Sequence, residues 1–408
     1  MQCDKTYHIN GQFIFIILDE AGMLVIVEDD IELRGTRSNR AARKLRKKNV
    51  KITPKRYVFF IGTLMQGGAE RVISILSKKM IEKGMDVSIL LYYDREIVYD
   101  IDPNIKITVV ERETQSKNIL KNIFWIRNFI TKKADVLISF LAPFNILALV
   151  AHIGLKSKII VADRNDPRYV PTNRIVRQIR NVLYHYADGV VLQTTQNRDY
   201  FSDKIKANSI IIPNPIDLKE KVGIALRTPK ENKIVSVGRL MPQKNQELLI
   251  RAFTQIHQKY PQYTLEIYGD GPYRGYLENV VSKLKMNDYI KLVGSSKRIF
   301  DDIANAELFV LSSNYEGMPN ALIEAMCLGL PCISTKVSGA TDLIKSGVNG
   351  EIVDIGNLQE LATVMADLLS RPEKRESYGK AAKLLNDKLA VEKVMNYWIN
   401  FFENISDR

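Results

Sequence analysis

Two glutamates eight positions apart, Glu316 and Glu324, are the residues whose type and spacing point most directly to chemistry. Glu316 follows the apolar run LFVLSS in a short polar loop, and Glu324 lies inside a helix predicted to begin at Pro319. Because an ionised carboxylate only accepts hydrogen bonds, it suits the hydroxyls of a sugar. We expect Glu316 to accept from sugar hydroxyls and Glu324 to accept from the paired hydroxyls of a ribose. The alternative is a negative charge that stabilises the helix by interacting with its dipole, but this would explain one glutamate and not both.

The start of the same helix supplies hydrogen-bond donors between the two glutamates. The first N–H groups of a helix have no partner within it, and the helix dipole is positive at that end. We therefore expect the amides of Met318, Asn320 and Ala321 to bind phosphate oxygens. The candidate ligand-binding residues of this segment are Gly317, Met318, Pro319, Asn320, Ala321, Leu322 and Glu324.

A second candidate element, VSVGRLMPQKNQELL, places two cations after a predicted strand. Gly238 and Arg239 follow the strand directly, and Lys244 lies in the loop that leads to the next helix. A planar guanidinium and an ammonium can together hold a leaving diphosphate. Two ordinary surface cations are the alternative. The carboxyl end of a sheet strand is, however, where α/β proteins bind their ligands.

A third element, GTLMQGGAERV, sets Gly67 and Gly68 just before a predicted helix. Glycines let a ligand approach the backbone closely, and the helix start offers free N–H groups, so a diphosphate fits here as well. The element is not the dinucleotide fingerprint, because G-x-G-x-x-G is absent. A turn that needs glycine for its conformation is the alternative.

The composition describes a chain of 408 residues with a formal charge of +13 and 46% hydrophobic residues, which is enough for two cored domains. Three cysteines indicate a reducing compartment rather than a disulfide framework, and we expect a cytoplasmic protein. Four scattered histidines argue against a structural metal site. No apolar run is long enough for a transmembrane helix, and FIFII and MLVIV near the start are typical of a hairpin.

From Tyr57 onward, short apolar runs alternate with helical periodicity, and the pattern restarts at KIVSVG. Continuous apolar strands between helices predict parallel sheets covered on both faces. We therefore predict an α/β protein with two tandem Rossmann-like doubly wound domains and a crevice between them. The predicted boundaries are an N-terminal extension at 1–56, a first domain at 57–217, a linker at 218–232, a second domain at 233–388 and a C-terminal helix at 389–408 that packs back on the first domain.

These elements together resemble the retaining glycosyltransferases of family 4, which have the GT-B fold. GRLMPQKN is similar to the family's G-R-L-x-x-x-K element, Glu316 to Glu324 is similar to its E-x7-E element, and GGAERV is similar to its N-terminal glycine loop. The resemblance extends from about Tyr57 to the C-terminus and includes the segments EAMCLGLP and SGATDLI.

The resemblance implies transfer of a sugar from a nucleotide-sugar to a hydroxyl of a growing glycan, with the anomeric configuration retained. Family bias favours a UDP-linked donor. Arg239, Lys244 and Glu316 are the implied catalytic residues, since the two cations and the helix amides would stabilise charge on the departing diphosphate. Paired cations can replace a metal ion there, so we predict that the reaction needs no metal cofactor.

Segments on the predicted acceptor side resemble particular bacterial members of the family, and one loop differs from the family pattern. ADRNDPRYVPTNR and IIPNPI are similar to bacterial members that build capsular, exopolysaccharide or lipid-linked O-antigen chains, which places Arg164 and Asn165 on the acceptor side. An Asn-Asp-Pro turn is the alternative. Many relatives carry a histidine near the donor sugar where this chain reads FLAPFN. We expect His152 to be a packed residue and Asn145 to supply the missing hydrogen bond.

Two other classes of function stay open. A sugar-nucleotide epimerase or a phosphorylase of the same fold would use a similar site. A protein that binds a nucleotide-sugar or a nucleic acid without turnover is suggested by the basic run from Arg34 to Arg56. We expect no nucleic-acid partner, because no recognition motif or aromatic platform accompanies the charge.

A lipid-linked acceptor would bring the protein to the inner face of the cytoplasmic membrane as a peripheral protein. The predicted helix Lys117–Lys133 combines five cations with apolar residues and Trp125, as interfacial helices do. Its apolar spacing is carried by Ile119, Ile123, Ile126 and Ile130. An ordinary helix that packs on the sheet and an anchor in the basic run at 34–56 are the alternatives.

Overall fold

The computed structural model describes residues 3–9, 12–18, 24–29, 55–65, 67–216 and 230–406. The chain forms two compact units, residues 1–54 and residues 55–408. In the first unit, strands β1 (Cys3–Ile9), β2 (Gln12–Leu18) and β3 (Leu24–Asp29) form an antiparallel sheet in that order. The predicted hairpin is therefore present as β2 and β3, and β1 is an additional strand. The basic run from Arg34 lies outside the described residues up to position 54.

The second unit contains two parallel sheets, and the first of them has seven strands in the order β10-β9-β8-β7-β4-β5-β6. The apolar runs read from the sequence form its centre, because strands covered on both faces exclude polar side chains. Its strands are β4 (Arg56–Ile61), β5 (Asp86–Leu91), β6 (Lys106–Val109), β7 (Val136–Phe140), β8 (Lys158–Ala162), β9 (Gly189–Leu192) and β10 (Ser209–Ile211).

The first sheet begins one residue earlier than the predicted domain. The Arg56 amide donates to Asp135 Oδ2 at 2.9 Å, and the guanidinium pairs with Asp135 Oδ1 at 2.8 Å, which fixes β4 beside the start of β7. The helices of this domain are α1 (Gly68–Glu82), α2 (Val110–Thr114), α3 (Ile119–Lys133), α4 (Ala142–His152), α5 (Arg174–Leu183), α6 (Thr195–Asp199) and α7 (Asp203–Ala207).

The second sheet has six parallel strands in the order β13-β12-β11-β14-β15-β16. Counted from its own first strand, this is the order 3-2-1-4-5-6 of the Rossmann fold. Its strands are β11 (Glu231–Val237), β12 (Thr264–Tyr268), β13 (Ile290–Gly294), β14 (Ala306–Leu311), β15 (Cys332–Thr335) and β16 (Glu351–Val353). The predicted pair of Rossmann-like domains is confirmed.

Helices cover both faces of the second sheet, and the predicted linker falls between the two sheets. Residues 217–229 of that linker lie outside the described residues, and β11 starts at Glu231 rather than at 233. The helices are α8 (Gln246–His257), α9 (Arg274–Lys283), α10 (Ile299–Ala304), α11 (Asn320–Cys327), α12 (Ser338–Leu343), α13 (Leu358–Ser370), α14 (Pro372–Ala382) and α15 (Leu385–Leu389).

The last helix, α16 (Val391–Ser406), packs on the first sheet although it follows the second in sequence. Trp398 and Phe402 are fully buried in the first core, where the Trp398 ring stacks on Phe140 with 5.6 Å between centroids. The two domains are thus joined by two chain crossings, the linker and α16. The carboxyl ends of their strands carry the candidate site.

Candidate active site

The loops after β11 and β14 form the floor of the site, because these two strands are neighbours in the second sheet. The Asn314 amide donates to the Gln243 carbonyl at 2.7 Å, and Gln243 Nε2 donates to the Tyr315 carbonyl at 2.8 Å. Ser312 Oγ donates to the Lys244 carbonyl at 3.1 Å. The G-R-L-x-x-x-K element and the first half of the E-x7-E element are therefore held together as one unit.

Lys244 and Glu316 meet at the centre of this unit. Lys244 Nζ lies 2.5 Å from Glu316 Oε1, and Ser313 Oγ donates to the same oxygen at 2.7 Å. Both side chains are largely shielded from solvent, which strengthens their attraction. The stem of Lys244 runs past Gly238, where a Cβ would lie 3.3 Å from Lys244 Cδ. Glu316 Oε2 accepts no hydrogen bond from a described residue and stays available to a ligand hydroxyl.

Arg239 is placed differently from its neighbour Lys244. Arg239 is exposed, and its guanidinium makes no hydrogen bond or ion pair within the described ranges. Only its carbonyl is engaged, by Gln246 Nε2 at 3.1 Å. Arg239 is therefore a cation ready for an anionic ligand, whereas Lys244 already has a carboxylate partner.

Helix α11 begins at Asn320, and Pro319 is its N-cap rather than its first residue as predicted. The amides of Met318, Asn320 and Ala321 donate to no described group, and the predicted anion site at these amides stays a prediction. Leu322 differs from the prediction. Its side chain is fully buried in the second core, and its amide donates to the Pro319 carbonyl at 3.1 Å.

Glu324 faces the first domain across the crevice. Its Oε1 pairs with Arg71 Nη1 of α1 at 2.9 Å, and both side chains are mostly buried. Sequence reasoning missed Arg71, although it stands three residues after Gly68 in GGAERV, one helical turn along α1. The pair places Glu324 beside the helix that follows the glycine loop.

Two glycines allow the domains to approach each other closely. A Cβ on Gly68 would lie 2.9 Å from Asn320 Nδ2, and a Cβ on Gly317 would lie 2.6 Å from both the Arg164 carbonyl and Gln193 Oε1. Gly68 and Gly317 thus leave room for close contact between the two domains. Gly67, by contrast, is engaged locally, since its amide donates to the Tyr99 hydroxyl oxygen at 3.2 Å.

Arg164 lies beneath the crevice rather than along it. The side chain is buried, and its guanidinium donates to Asn214 Oδ1 and lies 5.9 Å from the Trp398 ring. Burial lowers the pKa of Arg164 to about 9, although the Asp163 carboxylate opposes that change. Asn165 is closer to the site. It is partly exposed, and its carbonyl accepts from the Asn197 side chain at 3.1 Å.

Asn214, in the segment IIPNPI, is a site-supporting residue that sequence reasoning did not assign. Its Nδ2 donates to Asn320 Oδ1 at 2.6 Å, and its Oδ1 accepts from Gln193 at 2.8 Å. Its amide also approaches Met318 Sδ at 3.3 Å. Asn214 therefore connects the chain leaving the first domain to the start of α11.

Asn145 does not lie where a sugar would bind, which corrects the prediction. It is fully buried, and its Nδ2 donates to the Ala162 carbonyl at 3.1 Å and to Tyr184 Oη at 2.8 Å. The side chain thus supports the first core. His152 is packed as predicted: it is buried at the end of α4, its Nε2 lies 3.0 Å from Ser157 Oγ, and burial lowers its pKa.

A polar seam beside the site adds further contacts between the domains. Thr194 Oγ1 lies 2.6 Å from Ser338 Oγ, and the Thr195 amide donates to Asp342 Oδ2 at 2.8 Å. Within the described residues, no group of His, Cys, Asp and Glu has the arrangement of a metal site. No helix in that part of the chain is long and apolar enough to span a membrane.

Two parallel-sheet Rossmann-like domains whose facing loops carry this cluster define a GT-B protein. Among solved structures, HepE from Anabaena in complex with UDP has a TM-score of 0.71 and 18% identity, covering 86% of this chain and 100% of that one. Sucrose-phosphate synthase from Thermosynechococcus elongatus has a TM-score of 0.74 and 18% identity, covering 86% of this chain and 99% of that one. These likenesses concern the fold.

Residues 219–385 match the family described as glycosyl transferases group 1. A curated relative from Campylobacter jejuni is 27% identical over 86% of this chain and 98% of its own length. It is named as an α-1,4-N-acetyl-D-galactosaminyltransferase that acts on a diNAcBac-PP-undecaprenol glycan. The amylovoran biosynthesis glycosyltransferase AmsD from Erwinia amylovora is 24% identical over 83% of this chain and 96% of its own length.

Proposed function

We propose that the protein transfers a sugar from a UDP-sugar to a hydroxyl of a growing glycan, with the anomeric configuration retained. The observation that carries the proposal is the pair formed by Lys244 and Glu316 next to the unpaired Arg239 and the free amides of α11. This arrangement presents positive charge and one carboxylate oxygen to the same crevice. A sugar diphosphate combines the hydroxyls and the negative charge that such a site would bind.

The donor diphosphate would be held by Arg239 and by the amides of Met318, Asn320 and Ala321. As the bond between the anomeric carbon and the phosphate oxygen breaks, its electron pair moves to that oxygen and the negative charge there grows. Fixed cations and dipoles stabilise this charge without having to reorganise, which is usually the largest catalytic effect. Lys244 lies close enough to share in this stabilisation once a donor is bound.

Glu316 would orient the sugar. Lys244 and Ser313 hold Oε1 of Glu316, which directs Oε2 to a sugar hydroxyl. Glu324 would accept from the ribose hydroxyls after its ion pair with Arg71 opens or shifts. The retained configuration is inferred from the G-R-L-x-x-x-K and E-x7-E elements that the chain has in common with family 4.

The acceptor is inferred from the relatives. The Campylobacter jejuni protein is named for an undecaprenyl diphosphate glycan, and AmsD is named for an exopolysaccharide. We propose a lipid-linked oligosaccharide of bacterial surface polysaccharide synthesis as the acceptor. The choice of UDP is supported by the resemblance to family 4 and by the UDP in the HepE structure, which is a property of that protein.

The test is a panel of UDP-, GDP- and TDP-sugars incubated with undecaprenyl-diphosphate oligosaccharides. We expect one UDP-sugar to extend an acceptor, with mass spectrometry giving the added sugar and NMR giving the anomeric configuration. Incubation with donor alone separates the alternatives. Interconversion of the donor without acceptor would indicate an epimerase, and binding without turnover on any acceptor would indicate a non-catalytic protein.

A further inference from the structure

Helix α5 exposes the side that helices of this fold normally bury. Amphipathic helices in α/β domains turn their apolar stripe to the sheet. In α5 the one buried residue is Arg180. Three apolar positions instead face solvent at i, i+4 and i+7, a spacing that places them on one side of the helix, whereas Val176 and Leu183 are half-buried. The exposed fractions are Ile175 (65%), Ile179 (46%) and Val182 (61%), and Tyr186 (72%) follows in the short 3-10 turn after α5. We call them the α5 stripe.

The surface around the α5 stripe is rich in positive charge. Helices α3, α4 and α5 lie side by side on one face of the first sheet. From Gln115 to Asp188 the sequence contains twelve Lys or Arg residues, of which Arg164 and Arg180 are buried, and four Asp residues. Each Asp already faces a cation of the same domain. The pairs are Asp135 with Arg56, Asp163 with Arg180, Asp166 with Arg168, and Asp188 with Lys158.

The α5 stripe is also coupled to the crevice. Arg180 Nη1 donates to the Val170 carbonyl at 2.6 Å, and Nη2 donates to the Pro167 carbonyl at 2.9 Å, so α5 holds the loop before it. In that loop, Tyr169 stacks on Tyr315 of the β14–α11 loop, with 4.7 Å between the ring centroids. The start of α5 therefore lies at the edge of the candidate active site.

We propose that the α5 stripe docks on an anionic lipid bilayer and so presents the crevice to an acceptor held in that bilayer. The inference rests on the proposed lipid-linked acceptor. Exposed Ile and Val flanked by arginines, with a tyrosine at one end, match an interfacial helix. Nucleic acid offers no counterpart for the aliphatic stripe, and the excess of Lys and Arg over Asp from Gln115 to Asp188 suits anionic headgroups.

Helix α3, the membrane helix expected from the sequence, is used differently. Ile126 and Ile130 are fully buried against the first sheet and Ile123 is partly buried, so most of the predicted apolar face packs on the sheet, whereas Ile119 is exposed. Leu120 and Phe124 stay exposed near its start. The comparison between α3 and α5 is therefore part of the test.

The experiment is flotation of the full-length protein with vesicles, either of phosphatidylglycerol and phosphatidylethanolamine or of phosphatidylcholine. We expect binding to the anionic vesicles that weakens with salt. I175S/I179S should lower that binding about tenfold or more, since two exposed aliphatic side chains lose their burial in lipid. R174E should also lower it, because it reverses an exposed charge beside the α5 stripe.

The matched control is V348S/I355S, which removes two exposed aliphatic side chains from the second domain and should bind vesicles as the wild type does. Thermal unfolding by circular dichroism checks that each variant folds. If I175S/I179S misfolds, R174E carries the same test, since its change is at an exposed position. The proposal is overturned if folded α5 variants bind like the wild type, or if L120S/F124S abolishes binding while I175S/I179S does not. It is also overturned if size-exclusion chromatography shows a dimer that I175S/I179S converts to monomer, because a second copy would then cover the α5 stripe.

Failure of this inference and failure of the proposed function have different readouts. Transfer to a water-soluble oligosaccharide acceptor should be the same for wild type and I175S/I179S, since both side chains are exposed and neither belongs to the candidate active site. Transfer without vesicle binding would overturn the docking surface alone. Vesicle binding that depends on the α5 stripe, without transfer from any donor, would overturn the proposed reaction alone.

Discussion

Arg239 and Lys244 are two cations of one motif with different surroundings, and mutation should separate their roles. R239A should lower kcat by about 10²–10³, the scale of one lost charge-stabilising donor, with unchanged thermal stability because its guanidinium has no described partner. K244A should lower kcat by a similar factor and also destabilise the fold, since Glu316 would keep a shielded charge without its cation. Steady-state kinetics and thermal melting are the measurements. The control is R251A, which removes an exposed cation of α8. Near-wild-type turnover in both R239A and K244A would show that neither Arg239 nor Lys244 takes part in the mechanism.

The two glutamates should respond differently to substitution. E324A should mainly weaken nucleotide binding, and E316A should mainly lower kcat through lost sugar positioning. Isothermal titration with UDP measures the first effect, and initial rates at saturating donor measure the second. Loss of UDP affinity in E316A but not in E324A would show that the assignment is reversed.

His152 should make stability depend on pH. Burial lowers its pKa in the folded protein below the ordinary value of 6.5, so the unfolded chain takes up a proton first as pH falls. The stabilising effect of the neutral ring is complete above pH 6.5 and is lost as pH drops below that value. Urea unfolding between pH 8 and pH 5 should show a steeper loss for wild type than for H152Q. Equal slopes would mean that His152 ionises as freely in the folded state as in the unfolded chain.

At the scale of elements, the close approach of the β14–α11 loop to the first domain depends on Gly317. G317A should lower kcat at least tenfold, because the added Cβ would lie 2.6 Å from the Arg164 carbonyl and must push the domains apart. We expect a loss of about 1–3 kcal/mol in the free energy of unfolding, the usual cost of overpacking. The matched control is G275A in α9, where an added Cβ meets nothing within 4 Å. Wild-type kinetics in G317A would show that the close contact is dispensable.

At the scale of the whole molecule, the crevice joins cations from one domain to a glycine loop from the other. If Arg239, Lys244 and the α11 amides balance the diphosphate charge, activity should survive EDTA. Rates measured before and after chelation, with Mg²⁺ and Mn²⁺ added back, test this expectation. Complete loss that either cation restores would assign the diphosphate charge to a metal ion.

Much of the architecture was readable from the sequence because it depends on local patterns. YVFFI and LFVL are apolar throughout and bounded by helical periodicity, so a parallel sheet was the consistent outcome. The sequence also placed Lys244 and Glu316 after strands at the same edge of a sheet, although it did not predict their ion pair. The N-cap position of Pro319 differed by one residue, which is ordinary at helix ends.

Contacts between residues far apart in the chain were decided only by the tertiary structure. Arg71 and Glu324 are 253 positions apart, and no local pattern signals their ion pair. Asn145 was assigned to the crevice from its loop, but the turn of α4 directs it to Tyr184 in the core. The α5 stripe has the periodicity of any buried helix face, and whether such a face meets the sheet or solvent depends on what packs beside it. The sequence by itself determined the elements, their order and the motifs at strand ends, because these follow from local periodicity. The packing of one domain against the other determined which side chains reach the crevice and which surface stays open to solvent.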